Sequence, residues 1–448
     1  MTNILPCLSQ ILANLTLDPQ SDDYLASNES YAAFLEVDLL FPPEIHGALQ
    51  DFVPAPELVT ITQQELSAKS ITILTKNNIE ASKYKSAKLV GHYFPRKNYV
   101  LHSNLLTTYV KLGVQVKKIH KILKFVQAPI LADWIKHCTK MRIEATNNND
   151  IFGKKNFKLV VNASYGKMIE NLFNRLNCKV TNNQSKMLKL LSNPYFHSAR
   201  MINESMLAVT VRPKQIVMSR PTIMGVSILA LSKDFMYNYY YNTLKKNWKE
   251  KVKLLYTDTD SFIVSLKTKN INNALGQIKS TLDTSNFYPE HSLYSKENQG
   301  VLFKLKIEHA AHKLVAFCGL ASKSYAVLIL EDKKQLKFEN EKKLVSDFKI
   351  DQSGVGLLVR GKGIHKNVLN EYNFKNYLHA LKSDTSEKCI FTQMSSKKHV
   401  VHICRSVKTS LNPLCSKRYL KNCNIHSLPF GHIDCEKECN CNCTGAIS

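Results

Sequence analysis

Apolar positions recur along this chain with two different spacings, and they predict a mixture of strands and helices. Residues 31–57, AAFLEVDLLFPPEIHGALQDFVPAPE after Tyr31, read as a strand that gives way to a loop punctuated by prolines. Leu105, Leu106, Tyr109, Val110 and Leu112 fall at helical spacing, and Gly113 ends that pattern. From Val114 to Phe125 polar and apolar residues alternate, which predicts a strand. Pro129 opens a second helical stretch carrying Ile130, Leu131, Trp134 and Ile135 on one side, and Asn147-Asn148-Asn149-Asp150 interrupts it. A third helix is expected from about Lys155 to Leu176. A single long buried helix is expected over 218–246, where Ile223, Met224, Leu229, Leu231, Phe235, Met236 and Tyr239 read as core. Two runs, Val252–Leu255 and Phe262–Leu266, suit short strands joined by an acidic turn. A strand pair is expected from Val301–Ile307 and Lys313–Leu330. Residues 1–30 are polar and turn-rich, a poorly ordered lead-in. No internal repeat is visible.

Length and composition narrow this picture. The chain has 448 residues, 44% of them hydrophobic, which exceeds the usual single core and predicts two or three subdomains. Sixty-one Lys and Arg face 36 Asp and Glu, a formal charge of +25. Such an excess favours a polyanionic partner, because phosphate contacts supply most sequence-independent nucleic-acid affinity. The longest apolar run, around Ile223 to Leu231, is too short to span a membrane, so no membrane partner is expected. The first twenty residues lack the basic segment of a secretory signal. Secretion is therefore not expected, and the 12 cysteines should be reduced thiols.

Two segments carry chemistry. In Tyr256-Thr257-Asp258-Thr259-Asp260-Ser261 the carboxylates sit one residue apart at a hairpin turn. Hard cations take oxygen ligands, and Mg²⁺ usually accepts one or two carboxylates plus water and substrate phosphates. A solvated Asp/Thr turn would look the same in isolation. In Lys158-Leu159-Val160-Val161-Asn162-Ala163-Ser164-Tyr165-Gly166-Lys167, a helix would place Lys158, Asn162 and Tyr165 on one face. A cation, an amide and a flat ring are groups that grip a nucleoside triphosphate, and Gly166 would admit a close neighbour. An amphipathic helix with a solvated lysine is the plainer alternative for that segment alone.

Together, Lys-x-x-x-Asn-x-x-Tyr-Gly followed by Tyr-x-Asp-Thr-Asp-Ser resembles the B-family DNA polymerases. Gly319-Leu320-Ala321-Ser322-Lys323-Ser324-Tyr325 looks like the Lys-x-Tyr element that follows the acidic hairpin in that family. Further segments resemble its protein-primed branch in Polinton/Maverick-type mobile elements and related viruses: 36–57, 109–125, 152–172, 224–246, YTDTDSF at 256–262 and LPFGH at 428–432. Coverage runs from about 33 to about 432.

The resemblance implies an α+β palm-fingers-thumb fold, incomplete here, with an antiparallel palm sheet and helical fingers. The implied divisions are a palm remainder with the protein-primed-type insertion at 31–128, fingers at 129–180, palm with the acidic hairpin at 181–345, thumb or carboxy-terminal region at 346–432 and a Cys-rich tail at 433–448. The implied activity is template-directed transfer of a nucleotide from dNTP to a primer 3′ hydroxyl, with Mg²⁺ or Mn²⁺ held by Asp260 and Asp258. Lys158, Asn162, Tyr165 and Gly166 are the implied nucleotide-binding residues; Arg142 and Lys154, with Lys140, are added from their positions before and along that helix, where a solvated basic face is the plainer alternative. Lys323, Tyr325, Thr259 and Ser261 are implied to meet primer and DNA. The implied partners are primer-template DNA, dNTPs and a protein primer. The alternative is a non-catalytic nucleic-acid-binding remnant of a mobile-element polymerase.

Two departures from the family stand out. Ala163 replaces a Ser after the Asn. The second carboxylate strand, Asp-x-x-(Ser/Asn)-Leu-Tyr, has no match before the EVDLLFP region. Asp38 is poorly spaced as its substitute, because Phe41 follows after three residues rather than five. The expectation is therefore a carboxy-terminal fragment without the exonuclease domain, able to extend a primer poorly or not at all. Cys435, Cys439, Cys441 and Cys443, with Cys423, His426 and His432 nearby, fit zinc spacing poorly.

Overall fold

In this computed structural model, residues 30–341, 349–350, 354–397, 400–423 and 425–437 are described. The expected lead-in and most of the Cys-rich tail, including Cys439, Cys441 and Cys443, lie outside them. The chain is mixed, 36% helix and 31% strand, with antiparallel sheets. It divides into two compact units. One contains Met1–Asp133, Ala230–Glu387 and Thr409–Ser448, and the other contains Trp134–Leu229 and Lys388–Lys408.

The first unit opens with β1 (Ser30–Leu40), the expected strand. Residues β2 (Glu57–Ile61) and β3 (Ser86–Val90) form a separate antiparallel pair. β1 is central in a sheet between β4 (Arg96–His102) and β5 (Gln115–Gln127), both antiparallel to it. Leu35, Val37 and Leu39 alternate inward and are fully buried, as period-two patterning requires. They pack on Leu105, Leu106 and Tyr109 of the helix Ser103–Lys111.

The second unit holds the helices Ala132–Asn147 and Ile151–Met168, then the antiparallel sheet β6 (Asn177–Thr181), β8, β7. The last two strands are β7 (Phe196–Asn203) and β8 (Met206–Val211). The third helix starts at Ile151 rather than Lys155, because the Asp150 carboxylate caps it by accepting the Gly153 N–H at 2.9 Å. It ends at Met168, and Leu172–Asn174 forms only a short 3₁₀ turn.

The expected single helix over 218–246 is an α-helix, Thr222–Asn238, running into a π-helical stretch at Tyr239–Lys245. Its first half is only partly buried: Ile223, Val226 and Ile228 are exposed, Met224 and Leu229 are half-buried, and Gly225 is buried. The wider π turn brings three successive tyrosines toward partners. Tyr239 Oη lies 3.0 Å from Thr281 Oγ1, Tyr240 Oη donates to Asp51 at 2.7 Å, and Tyr241 Oη donates to the Phe52 carbonyl at 2.8 Å.

Two strands follow, β9 (Val252–Thr257) and β10 (Phe262–Leu266), as an antiparallel hairpin. The two-residue strands β11 (Leu282–Asp283) and β12 (Leu305–Lys306) pair in parallel. Hence 301–307 does not pair with the next strand. Instead β13 (Lys313–Ala321) and β14 (Ser324–Leu330) form their own hairpin, because Ser322-Lys323 reverses the chain. β15 (Lys349–Ile350) and β16 (Val355–Gly361) complete that sheet in the order β13-β14-β16-β15, so one sheet spans the expected 345/346 boundary. Among the described residues, no helix is long and apolar enough to cross a membrane.

Candidate active site

The acidic hairpin is fixed from below. Val252 is fully buried with Tyr240, Leu244 and Trp248, which seats β9 against the π-helical stretch. At the tip, the Asp258 N–H donates to the Ser261 carbonyl at 3.2 Å, and the Asp260 N–H donates to the Asp258 carbonyl at 2.7 Å. The second bond encloses only Thr259, which has φ +62°. A three-residue turn of that sign is rare, and a β-branched residue there is strained. Strain of this kind clusters at functional sites. Its effect here is to leave Asp260 and Ser261 exposed at the tip, with Asp258 half-buried beside them.

The turn between β13 and β14 meets this hairpin. Lys323 Nζ lies 3.0 Å from Asp258 Oδ2, and the Lys323 backbone N–H donates to Tyr256 Oη at 3.1 Å. The Tyr256 and Tyr325 rings are 4.8 Å apart, and Phe317 lies 5.8 Å from Tyr325 on the far side. The hydrogen bond from Lys323 to Asp258 and their opposite charges raise the ammonium's pKa. Burial raises the Tyr325 phenol, against the pull of the Arg360 guanidinium. Arg360 faces Tyr325 across the β14–β16 ladder. It was absent from the expected site, and its only sequence signal was a cation ending the alternating run Val355–Gly361.

Asp258, Thr259, Asp260, Ser261, Lys323 and Tyr325 are therefore gathered in one unit. Asp38 is engaged in its own sheet: its Oδ1 accepts the Asn98 N–H at 2.9 Å and lies 2.9 Å from His120 Nε2. These two bonds, the Asn98 one foremost, hold its carboxyl below the usual range.

The nucleotide-binding candidates lie in the other unit. Lys154, Lys158, Asn162 and Tyr165 recur at i, i+4, i+8 and i+11 on Ile151–Met168, one face of the helix. Lys158 and Asn162 are exposed, while Tyr165 and Lys154 are half-buried. Gly166 is exposed, and a Cβ there would meet nothing within 4 Å. The end of this helix is held by a close crossing: a Cβ on Gly225 would stand 2.4 Å from Ile169 Cγ2. Glu170 just beyond accepts from Arg175 at 2.7 Å and lies 3.4 Å from Arg220, and Arg175 lowers its pKa. Arg142 is exposed on the preceding helix.

Among the described residues, no group of three or more His, Cys, Asp or Glu side chains could hold a metal ion. The hairpin offers two carboxylates, which suits a hard cation that keeps its waters and takes further oxygens from a substrate phosphate. A cation already sits against Asp258 in the form of the Lys323 ammonium. In the tail, Cys423 Sγ lies 3.4 Å from His426 Nδ1, whereas the Cys435 thiol donates to the Pro429 carbonyl.

No protein-family model, curated protein or solved structure matches this chain.

Proposed function

We propose that the chain is the palm and fingers part of a DNA-directed DNA polymerase, an enzyme that joins a dNTP to a primer 3′ hydroxyl. The observation that carries this reading is the meeting of the Tyr256–Ser261 turn with the Lys323–Tyr325 turn, sealed by the 3.0 Å Lys323–Asp258 pair. Two motifs separated by 67 residues have converged on one point, which a merely solvated acidic turn has no reason to do. Asp260, with Asp258, would hold Mg²⁺ or Mn²⁺, and the ion when bound would offset charge on the transferred phosphoryl group. Asp260 offers an exposed carboxylate on a strained, fixed turn. Lys323 supplies a positive charge beside it, and Tyr325 a flat ring, as groups that would engage the primer end. On the other unit Lys158 and Lys154 would bind the triphosphate, Asn162 and Tyr165 would contact the nucleoside, and Gly166 would leave room for the base pair. Arg142 adds positive charge for phosphate. The formal charge of +25 suits a primer-template partner.

The test is primer extension with Mg²⁺ or Mn²⁺, by this chain and by a version joined to the Asp-x-x-(Ser/Asn)-Leu-Tyr strand that the resembled family carries upstream. In whichever form synthesises DNA, Asp260→Ala should lower the rate by three powers of ten or more, the scale of losing phosphoryl-transfer charge stabilisation. Synthesis that persists in Asp260→Ala would overturn the reading. Salt-sensitive DNA binding with no synthesis by either form would identify a nucleic-acid-binding remnant instead.

A further inference from the structure

The Lys323–Asp258 contact has an awkward geometry for a site that would use both residues. Asp258 Oδ2 is one of the oxygens available to a divalent ion, and the Lys323 ammonium lies 3.0 Å from it. Lys323 is also a cation within reach of a phosphate that arrives at the hairpin. The two roles compete, since the ammonium and a divalent ion are like charges that both draw on the Asp258 carboxylate. We propose that Lys323 is a metal-displaced latch: it neutralises Asp258 in the metal-free chain, and a divalent ion at the hairpin releases it to bind a DNA phosphate.

The surroundings permit such an exchange. The backbone of Lys323 is fixed, with φ +59°, its N–H on Tyr256 Oη and its carbonyl accepting from the Lys362 N–H at 3.0 Å. The side chain is held at its tip by the Asp258 pair, in which Lys323 is 54% exposed and Asp258 38% exposed. An ion pair so exposed is weak and readily exchanged. The turn thus holds the base of the side chain while its tip can exchange partners. Tyr256 and Tyr325 act on the Lys323 ammonium beside Asp258, and Glu308 and Arg360 act on Tyr325.

Linkage then fixes the sign. If metal frees Lys323 for DNA, metal must raise DNA affinity, and DNA must raise metal affinity by the same factor. This is opposite to the ordinary effect of added cations, which weaken DNA binding by competing for phosphate. The inference rests on the proposed metal-binding role of the hairpin, and the test separates the two. Mn²⁺ binding is followed by electron paramagnetic resonance in the full chain and in Lys323→Gln, Lys362→Gln, Asp258→Asn and Asp260→Ala. Primer-template binding is followed by anisotropy with and without Ca²⁺ at constant ionic strength.

Lys323→Gln should bind Mn²⁺ about three- to fivefold more tightly, the scale of an exposed ion pair, while Lys362→Gln should be nearly unchanged. Ca²⁺ should tighten DNA binding of the unmodified chain by a similar factor and loosen that of Lys323→Gln. Asp258→Asn should bind DNA more tightly without metal and lose the Ca²⁺ response. Equal Mn²⁺ gains in Lys323→Gln and Lys362→Gln would reduce the effect to general charge and overturn the latch. Unchanged Mn²⁺ affinity in Lys323→Gln would overturn it while leaving the metal site standing. Mn²⁺ binding that ignores Asp260→Ala and Asp258→Asn alike would remove the metal site itself.

Discussion

Beneath the acidic hairpin, Tyr240 and Val252 are fully buried and Tyr239, Leu244 and Trp248 nearly so, each tyrosine with a named hydrogen-bond partner. Along the Ile151–Met168 helix Gly153 alone is buried, while Phe152 is 79% and Leu159 65% exposed. The buried apolar clusters of the described residues all draw on the unit that carries the hairpin. The contrast teaches that the two regions are held by different means. The hairpin's geometry comes from a core, so its carboxylates are preorganised. The helix's geometry comes from its own backbone, a cap and one close crossing at Gly225, so its face is regular but little supported.

Core substitutions should separate the regions most strongly. Tyr240→Ala removes a buried ring and the bond to Asp51, and should cost about 3–5 kcal/mol in urea unfolding. A cost near zero would mean that the hairpin does not depend on the π-helical stretch.

A pH test comes next in size. Burial lowers the pKa of His102 from 6.5 to about 4 and that of His92 to about 3, so both are neutral in the folded chain at pH 5. The 3.4 Å approach of His92 to Glu57 is accordingly not an ion pair. The unfolded chain takes up these protons near pH 6.5, so stability should fall as pH drops below that value, by about 2 kcal/mol per histidine at pH 5. His102→Asn keeps an acceptor for the Asn104 N–H and should remove about 2 kcal/mol of the stability lost between pH 7 and 5. An unaltered slope would assign the acid sensitivity to other groups.

On the helix the expected effects move from stability to binding. In the form joined to the upstream carboxylate strand, Lys158→Ala should raise the nucleotide KM about tenfold, or about 1.4 kcal/mol, with unfolding unchanged. The outcome that removes Lys158 from the site is an unchanged KM. The smallest effect is expected for Leu159→Ala, an exposed residue whose loss should shift stability by about 0.5 kcal/mol or less. A large loss would show that this face is packed in solution, erasing the contrast.

Local chemistry was legible from the residues. The stretch before the prolines marked β1, alternation marked β5, Asp-Thr-Asp between apolar runs marked the hairpin, and the spacing of Lys158, Asn162 and Tyr165 put them on one helical face. These features depend on interactions within a few residues, which the chain order itself specifies. Where local rules erred, a neighbour distant in sequence or a cap decided the matter. Asp150 moved a helix start by four residues, and partners at Asp51, Phe52 and Thr281 accompany the π-helical turn where a uniform buried helix was expected. The 301–307 segment took β11 rather than β13 as its partner. Above all, nothing in the order of residues announces that Lys323 sits on Asp258 or that Arg360 faces Tyr325. Charges and rings do not choose partners across 67 residues by themselves. Burial of β9 and of the β13–β14 sheet sets where the two turns end, and the ion pair follows from that placement.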